Sequence, residues 1–507
     1  LRHRRTPVGR PVPLKATQHS GDTLGSICRR HRAHERTRRL ADLMRLLLLL
    51  VGVSAVLTAH AQTPTAGMPQ SKLTLAQAID LAQKNYPRIR ASLEQQGAAQ
   101  GGIAVARTVY LPRADILWQT NRATANNIYG LLLPQGIVPS ISGPVLTADN
   151  TRSAWSSAGG MLLSWQPFDF GLRNAEVNVA RQGAAVATAG LHLTRLDVAV
   201  VTANAYFDLA TAEQLFITAQ ANVKRLQVFD KTVHVLVDNQ LRPGADAALA
   251  DASLALARNQ LIQANTSVEV RRAALADLVG IPTRSLEVGD TQLLTGGPVE
   301  SSAPASLVSH PLLEQESALV NQRQAQLAVI THAYVPQFNT LASLSGRGAG
   351  TALDGSFPGG TNGLAPNTLN WAAGIQATFP AFDYFSLRAQ KKVQEAHVRA
   401  EQARYQQTLD DLSTQVQQAQ AQLTGAQQIA LNTPLELAAA QASEQQQRAR
   451  FQAGLATVVD VAVAESVLTQ AEVDDAVARL NIWRASAGVA AARGDLTPFL
   501  AQLAQQP

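Results

Sequence analysis

Side chains capable of catalysis are few in this sequence, and none is arranged for a reaction. Past position 61 there are five histidines, His192, His234, His310, His332 and His397, none at a metal-ligand spacing from another. Cys28 is the sole cysteine and no GxSxG elbow occurs, so the usual thiol and serine nucleophiles lack a setting. The Gly-rich stretch 346–366 has no Lys-Ser/Thr pair of the kind that closes a phosphate loop, and it reads as a loop between strands on the cell exterior. The histidines read as solvated surface groups, and neither a cofactor nor a metal is expected. What recurs are single carboxylates, Asp246 and Asp460, whose chemistry is electrostatic: capping free N–H groups at the start of a helix.

The chain starts at Leu1 and its first methionine is Met44, where translation is expected to begin. Residues 1–43 then read as spurious upstream sequence and 44–61 as a secretory signal: Arg45, an apolar run over 46–57, and a small-x-small site at Ala59 and Ala61 cut before Gln62. The formal net charge of +6 is produced there, because residues 1–61 carry twelve basic and three acidic residues and leave the remainder at −3. Nucleic acid is therefore not an expected partner. No apolar run exceeds the signal's twelve residues, so no transmembrane helix is expected. Cys28 lies in the leader, so the exported chain gains no disulfide and no lipid-bearing cysteine.

The carboxylates are positioned by a unit written twice. Phe168 and Asp169 return as Phe382 and Asp383, at an offset of 214 that also links Leu241 to Leu455, Asp246 to Asp460 and Gly280 to Gly494. Upstream the offset is 224, linking Tyr110 and Pro112 to Tyr334 and Pro336, so the first half holds ten extra residues before Asp169. After a linker at 62–72, the first repeat spans 73–280 and the second 310–496, separated by 281–309 and followed by a tail at 497–507. Each half reads as helix, β-hairpin (113–166 and 337–379), very long helix (171–237 and 386–452), turn and helix (246–279 and 460–492). The opening helices are expected at 73–109 and 310–333. A helix of some 67 residues is roughly 100 Å long, too long for a globular core. Ala205, Leu209, Ala212, Phe216, Ala219, Val223 and Leu226 form a coiled-coil seam. So do Ala250, Leu254, Ala257, Leu261, Ala264 and Val268, a set that recurs 214 residues on with Asp475 as one polar intrusion. Pro434 is expected to kink or break the second long helix.

The hairpins alternate. Ala114, Ile116, Trp118 and Thr120 share one face, as do Trp155, Met161, Leu163 and Trp165, and as do Trp371, Ile375 and Phe379. Ten tilted residues rise roughly 25 Å, the height of an outer membrane apolar band, with Trp118, Trp155, Trp165, Trp371 and Phe379 as girdle. A soluble hairpin alternates in the same way. If the strands do face lipid, four of them cannot close a barrel, and an open edge has no water to satisfy it, so strands must be pooled between chains.

These segments together resemble the TolC-like outer membrane factor family over 73–496. LTLAQAIDLAQKNYP at 73–87 resembles its opening helix, VYLPRADI the approach to its first strand, WQPFDFGLRNAEV the exit from its barrel, and ARFQAGLATVVDVAVAE at 449–465 its second helical tip. The resemblance implies a mixed α and β membrane fold with no enzymatic activity: a homotrimer with a twelve-stranded transmembrane β-barrel in outer membrane lipid and a helical coiled-coil barrel in the periplasm. It also implies docking to a periplasmic adaptor protein joined to an inner membrane transporter, as the exit duct of an efflux or type I secretion system. A structural periplasmic coiled coil and an exported enzyme are the competing readings.

The resemblance further implies a gate at the tips. Its carboxylate falls on Asp460, its Tyr on Phe451, its Arg on Ala456 and its second carboxylate on Val463, while the first half supplies Asp246. Asp246 is thus expected to lack its usual cation and phenol, and three Asp460 side chains to form a cation-selective ring. Docking is expected at the tips: Leu241 with Pro243 and Gly244 making the first turn in place of a glycine at Gln240, and Gly454 with Leu455 in the second.

Overall fold

A computed structural model describes residues 72–124, 152–283, 286–289, 293, 307–350, 356, 360–379 and 382–504. The expected leader and signal, most of the extra length of the first hairpin and part of the 346–366 loop lie outside these residues. The order of elements is α1 (Leu75–Asn85), α2 (Pro87–Arg107), β1 (Arg113–Thr124), β2 (Ser153–Phe168), α3 (Leu172–Asp238) and α4 (Gly244–Val279). It continues with α5 (Pro311–His332), β3 (Gln337–Ala349), β4 (Thr368–Thr378), α6 (Tyr384–Gln452), α7 (Val458–Ala492) and α8 (Thr497–Ala504).

The single helix expected over 73–109 is two. Pro87 disfavours helical backbone in the residue before it, and Tyr86 sits extended at φ −66°, ψ 126°. The same device starts the second repeat: His310 is extended before Pro311, and its Nδ1 accepts the Leu312 N–H at 3.1 Å. His310 is buried, so it is no solvated surface group, and burial holds its pKa below the ordinary histidine value.

Pro434 does not break α6, which runs through it for 69 residues. Beside it the buried Thr433 Oγ1 donates to Asp475 Oδ1 on α7 at 3.3 Å, and Arg479 pairs with Asp475 at 2.8 Å. The polar intrusion in the seam is therefore a satisfied interhelical contact at the helix position a proline weakens. Along the rest of the seams Leu209, Val223 and Leu226 are buried on α3, as are Leu254 and Ala257 on α4 and Leu468 and Ala471 on α7.

The long helix α3 packs on α2, α4 and α5, α6 packs on α5 and α7, and α3 also meets α7. One apolar belt ties both repeats together. It joins Leu75, Tyr206, Phe207 and Leu275 with Leu480 and Trp483, and the segment expected as a tail adds α8, whose Phe499 ring lies 6.2 Å from Trp483. Tyr206 also donates to the Leu73 carbonyl at 2.9 Å, and Leu73 forms a parallel bridge with Val288 in the linker between the repeats.

By length and composition alone α3 qualifies as a membrane span, with a window of mean hydropathy 1.3, where none was expected. Its ion pairs argue for water instead. Asp208 pairs with Arg271 of α4 at 3.0 Å and Arg484 of α7 at 2.5 Å. Arg225 donates to Glu465 at 2.9 Å and grips both oxygens of Glu472 at 3.0 Å. Glu465, 2% exposed, also binds Arg448 of α6, so one carboxylate joins three helices. Removing one partner of such a buried pair typically costs about 3–5 kcal/mol.

The strands form one antiparallel sheet in the order β1-β2-β3-β4, leaving β1 and β4 as edges. Register sets its faces: Ile116 lies opposite Met161, Met161 opposite Leu344, and Leu344 opposite Trp371. Trp118, Gly159, Gly346 and Leu369 form the next such row. Residues 346–349 are thus strand, and the expected loop begins only at Gly350.

Candidate functional site: the membrane sheet and the helical tips

Alternation along the four paired strands makes one face of the sheet largely apolar, with Thr120, Ser157 and Thr340 as small polar members and Arg122 near the end of β1. Ile116, Trp118, Met161, Leu163, Trp165, Leu344, Trp371 and Ile375 are all exposed on it, Trp371 by 79%. The other face carries Asp115, Gln119, Asn121, Ser164, Ser343 and Asn370. Water cannot be the solvent for the first face, and hydrocarbon cannot be the solvent for the second.

Of the expected girdle residues Trp155, Trp165 and Phe379 sit toward strand ends, whereas Trp118 and Trp371 lie within their strands, opposite Gly159 and Leu344. Trp165 donates its indole N–H to the Tyr110 carbonyl at 3.1 Å, and Trp155 is covered by the Arg122 guanidinium 5.3 Å from its ring centre. Trp118 packs so closely over Gly159 that a Cβ there would lie 2.8 Å from the indole. Phe379 is exposed just past β4.

The sheet is joined to α3 by a rigid corner. Asp169 Oδ2 accepts the Arg173 backbone N–H and its Nε, each at 2.7 Å, and the guanidinium continues to the Pro167 carbonyl at 3.2 Å. Phe170 and Gly171 hold φ of 49° and 98°, the sharp turn from strand to helix.

At the far end of the long helices the two tips are near copies. Gln240 N–H reaches the Val237 carbonyl at 2.8 Å and Leu241 N–H the Leu236 carbonyl at 2.9 Å; Gly454 and Leu455 do the same with Phe451 and Arg450 at 3.0 and 2.8 Å. Both are Schellman closures. The expected role of Pro243 and Gly244 in the first turn is corrected here. Gln240 itself takes the left-handed conformation, φ 60°, that Gly454 takes at φ 75°, while Pro243 precedes α4 and Gly244 begins it. In a Schellman closure the apolar residue after the left-handed position normally packs back on its helix, but Leu241 and Leu455 are 69% and 70% exposed.

Between the tips lies a small core of Phe229, Val233, Ala250, Phe451, Ala456, Val458 and Val461. Phe451, taken from the sequence as a lumen residue, is 2% exposed and packs edge-on to Phe229 at 5.2 Å, so it belongs to this core. Arg242 covers it, the guanidinium 4.8 Å from the Phe451 ring centre and Nη2 donating to the Ala456 carbonyl at 3.0 Å. Arg242 Nη1 also lies 3.9 Å from Asp246, which therefore has a cation after all. Sequence reasoning missed Arg242 although the repeat points to it: position 242 plus the offset of 214 is 456, the place where the family's arginine was sought and Ala456 was found.

Asp460 is exposed and is not the cap itself. Thr457 caps α7, its Oγ1 accepting the Asp460 N–H at 3.2 Å while Asp460 accepts the Thr457 N–H at 2.8 Å, a reciprocal box. The backbone hydrogen bond from Thr457 holds the Asp460 carboxyl below its ordinary pKa. The box therefore contributes stability above the unfolded aspartate pKa and is lost as pH falls through the lower folded value. Val463, one turn on, is exposed.

Comparison with known proteins decides the family. The outer membrane efflux protein family matches residues 78–281 and 303–495. The chain belongs to the outer membrane efflux protein family. No curated protein matches it by sequence. Among solved structures, VceC from Vibrio cholerae is 19% identical at a TM-score of 0.67, covering 83% of this chain and 96% of that one. The CmeC outer membrane channel of Campylobacter jejuni is 16% identical at 0.67, covering 87% and 94%. The open state of the Neisseria gonorrhoeae MtrE channel is 20% identical at 0.62, covering 85% and 94%. This efflux protein is accordingly an outer membrane channel.

Arg242→Ala removes a charge-assisted hydrogen bond and a cation–π contact, together worth about 1–2 kcal/mol. Amide hydrogen exchange over 450–461 is expected to accelerate about 5–30-fold, that free energy expressed as a ratio, while exchange in the belt around Trp483 stays unchanged.

Proposed function

We propose that three copies of this chain pool their sheets into a twelve-stranded barrel and form a passive duct. Through it, cargo delivered by an inner membrane transporter and a periplasmic adaptor leaves the cell. The observation that carries this reading is the sheet with one largely apolar exposed face, whose outer strands β1 and β4 pair with no other described strand, an arrangement lipid tolerates only when the edges are paired. Catalysis has no part in it.

The tips serve docking. Leu241 and Leu455 stand at the same turn position, both displaced from the packing a Schellman leucine usually makes, and so present matched apolar knobs to an adaptor. Replacing both by Asp is expected to abolish export while trimer levels in outer membrane extracts stay normal; normal export would refute docking at these residues.

The gate in this reading is Arg242, bridging the tips through Phe451, Ala456 and Asp246, with Asp460 giving the aperture a cation preference. Single-channel recordings of Asp460→Ala are expected to show reduced cation selectivity. Unchanged selectivity would rule out the ring.

A further inference from the structure

The gate and the docking knobs leave unused a cluster beside the first tip. Asp230 and His234 are one turn apart near the end of α3, and Asp251 faces them from the second turn of α4. His234 Nε2 lies 3.2 Å from Asp251 Oδ1 and 3.7 Å from Asp230 Oδ1, and one ligand atom from each residue lies within 4.8 Å of the others. Ligands held about 2.0–2.1 Å from a common ion stand roughly 3.0–3.5 Å apart in octahedral or tetrahedral geometry. The His234–Asp251 distance already matches such an edge, and the Asp230–His234 distance exceeds it by a few tenths of an ångström.

A second observation points the same way. Asp230 Oδ1, the oxygen turned toward the imidazole, is shut off from solvent and has no hydrogen-bond partner. A buried carboxylate oxygen left unsatisfied is costly, and a cation is the partner that would satisfy it. Asp238, the last residue of α3, adds to the negative field at His234.

We propose that Asp230, His234 and Asp251 bind a divalent transition-metal ion of the zinc class that clamps α3 to α4 beside the first tip. An imidazole with two carboxylates suits such an ion, whereas magnesium and calcium prefer all-oxygen sites. Three protein ligands leave positions for water, and His234 and Asp251 are open enough to solvent for the ion to enter. With α3 and α4 clamped within about two turns of Leu241, the hairpin that carries this leucine becomes stiffer. The sequence hides the site because only one of its ligands is a histidine; Asp230 and His234 at i and i+4 do not register in a search for paired histidines.

The test is calorimetric titration of Zn²⁺ into the detergent-solubilised full chain, purified without a histidine tag. One ion per chain is expected. His234→Ala and Asp230→Asn should each remove the saturable phase, and His192→Asn, which alters the other exposed histidine–carboxylate pair (His192 with Glu314, 3.0 Å), should keep it. Hydrogen exchange over 230–251 should slow on adding Zn²⁺ in the wild type and not in His234→Ala, a readout independent of export or channel activity. Absence of a saturable phase in the wild type overturns the proposal. So does a phase that survives in His234→Ala or Asp230→Asn with the helical circular dichroism intact.

Discussion

Everything in this molecule follows from backbone groups that have nowhere to go. Among the described residues β1 and β4 are the outer strands of the sheet, and the sheet they bound carries a largely apolar exposed face. In hydrocarbon an unpaired N–H or carbonyl has no partner, and the proposed pooling of sheets answers this by setting β4 of one copy against β1 of the next. The corner at Asp169 and Arg173 ties the end of β2 to the start of α3, so the sheet and the long helix are joined through a hydrogen-bonded turn.

The helices add a second constraint, of register. Ala-rich seams pack closely but tolerate sliding, since one small apolar residue resembles the next. The polar contacts between helices do not: the buried Glu465 between Arg225 and Arg448, the buried Thr433 on Asp475, and the half-exposed Asp208 between Arg271 and Arg484 each fit at one register only. Such pairs contribute little net stability against an apolar replacement and are better understood as selecting one alignment of long helices over its neighbours. They also bring the two repeats to the same height, so that both tips end in one shared core around Phe451.

Much of this was legible in the sequence because the signals were periodic. The 214-residue offset predicted a duplicated chain, the period of two predicted which strand residues share a face, and the 4-3 spacing predicted the seams; the long helix expected at 171–237 is α3 to within a residue at each end. What was not legible depends on single contacts across the repeats. Arg242 acts on Ala456, a residue 214 positions away, and no local pattern marks it. Gln240 adopts a backbone conformation for which its side chain gives no cue, and of the two outcomes a local rule allows at Pro434, a kink or a break, the break does not occur in α6. The tail was unreadable for a similar reason: Phe499 and Leu503 matter only because Trp483 lies beside them.

The central claim is that edge pairing between β1 and β4 of different copies closes the barrel, and disulfide trapping tests it most directly. Cys28 is the one cysteine of the sequence, so with Cys28 replaced by Ser, pairs introduced on β1 and β4 report on that seam alone. Oxidation in outer membranes is expected to give a ladder on denaturing gels that stops at three chains, formed only by pairs in matching register. Exclusively monomeric chains across the whole β1–β4 scan, or a ladder extending past three, would contradict closure by three copies.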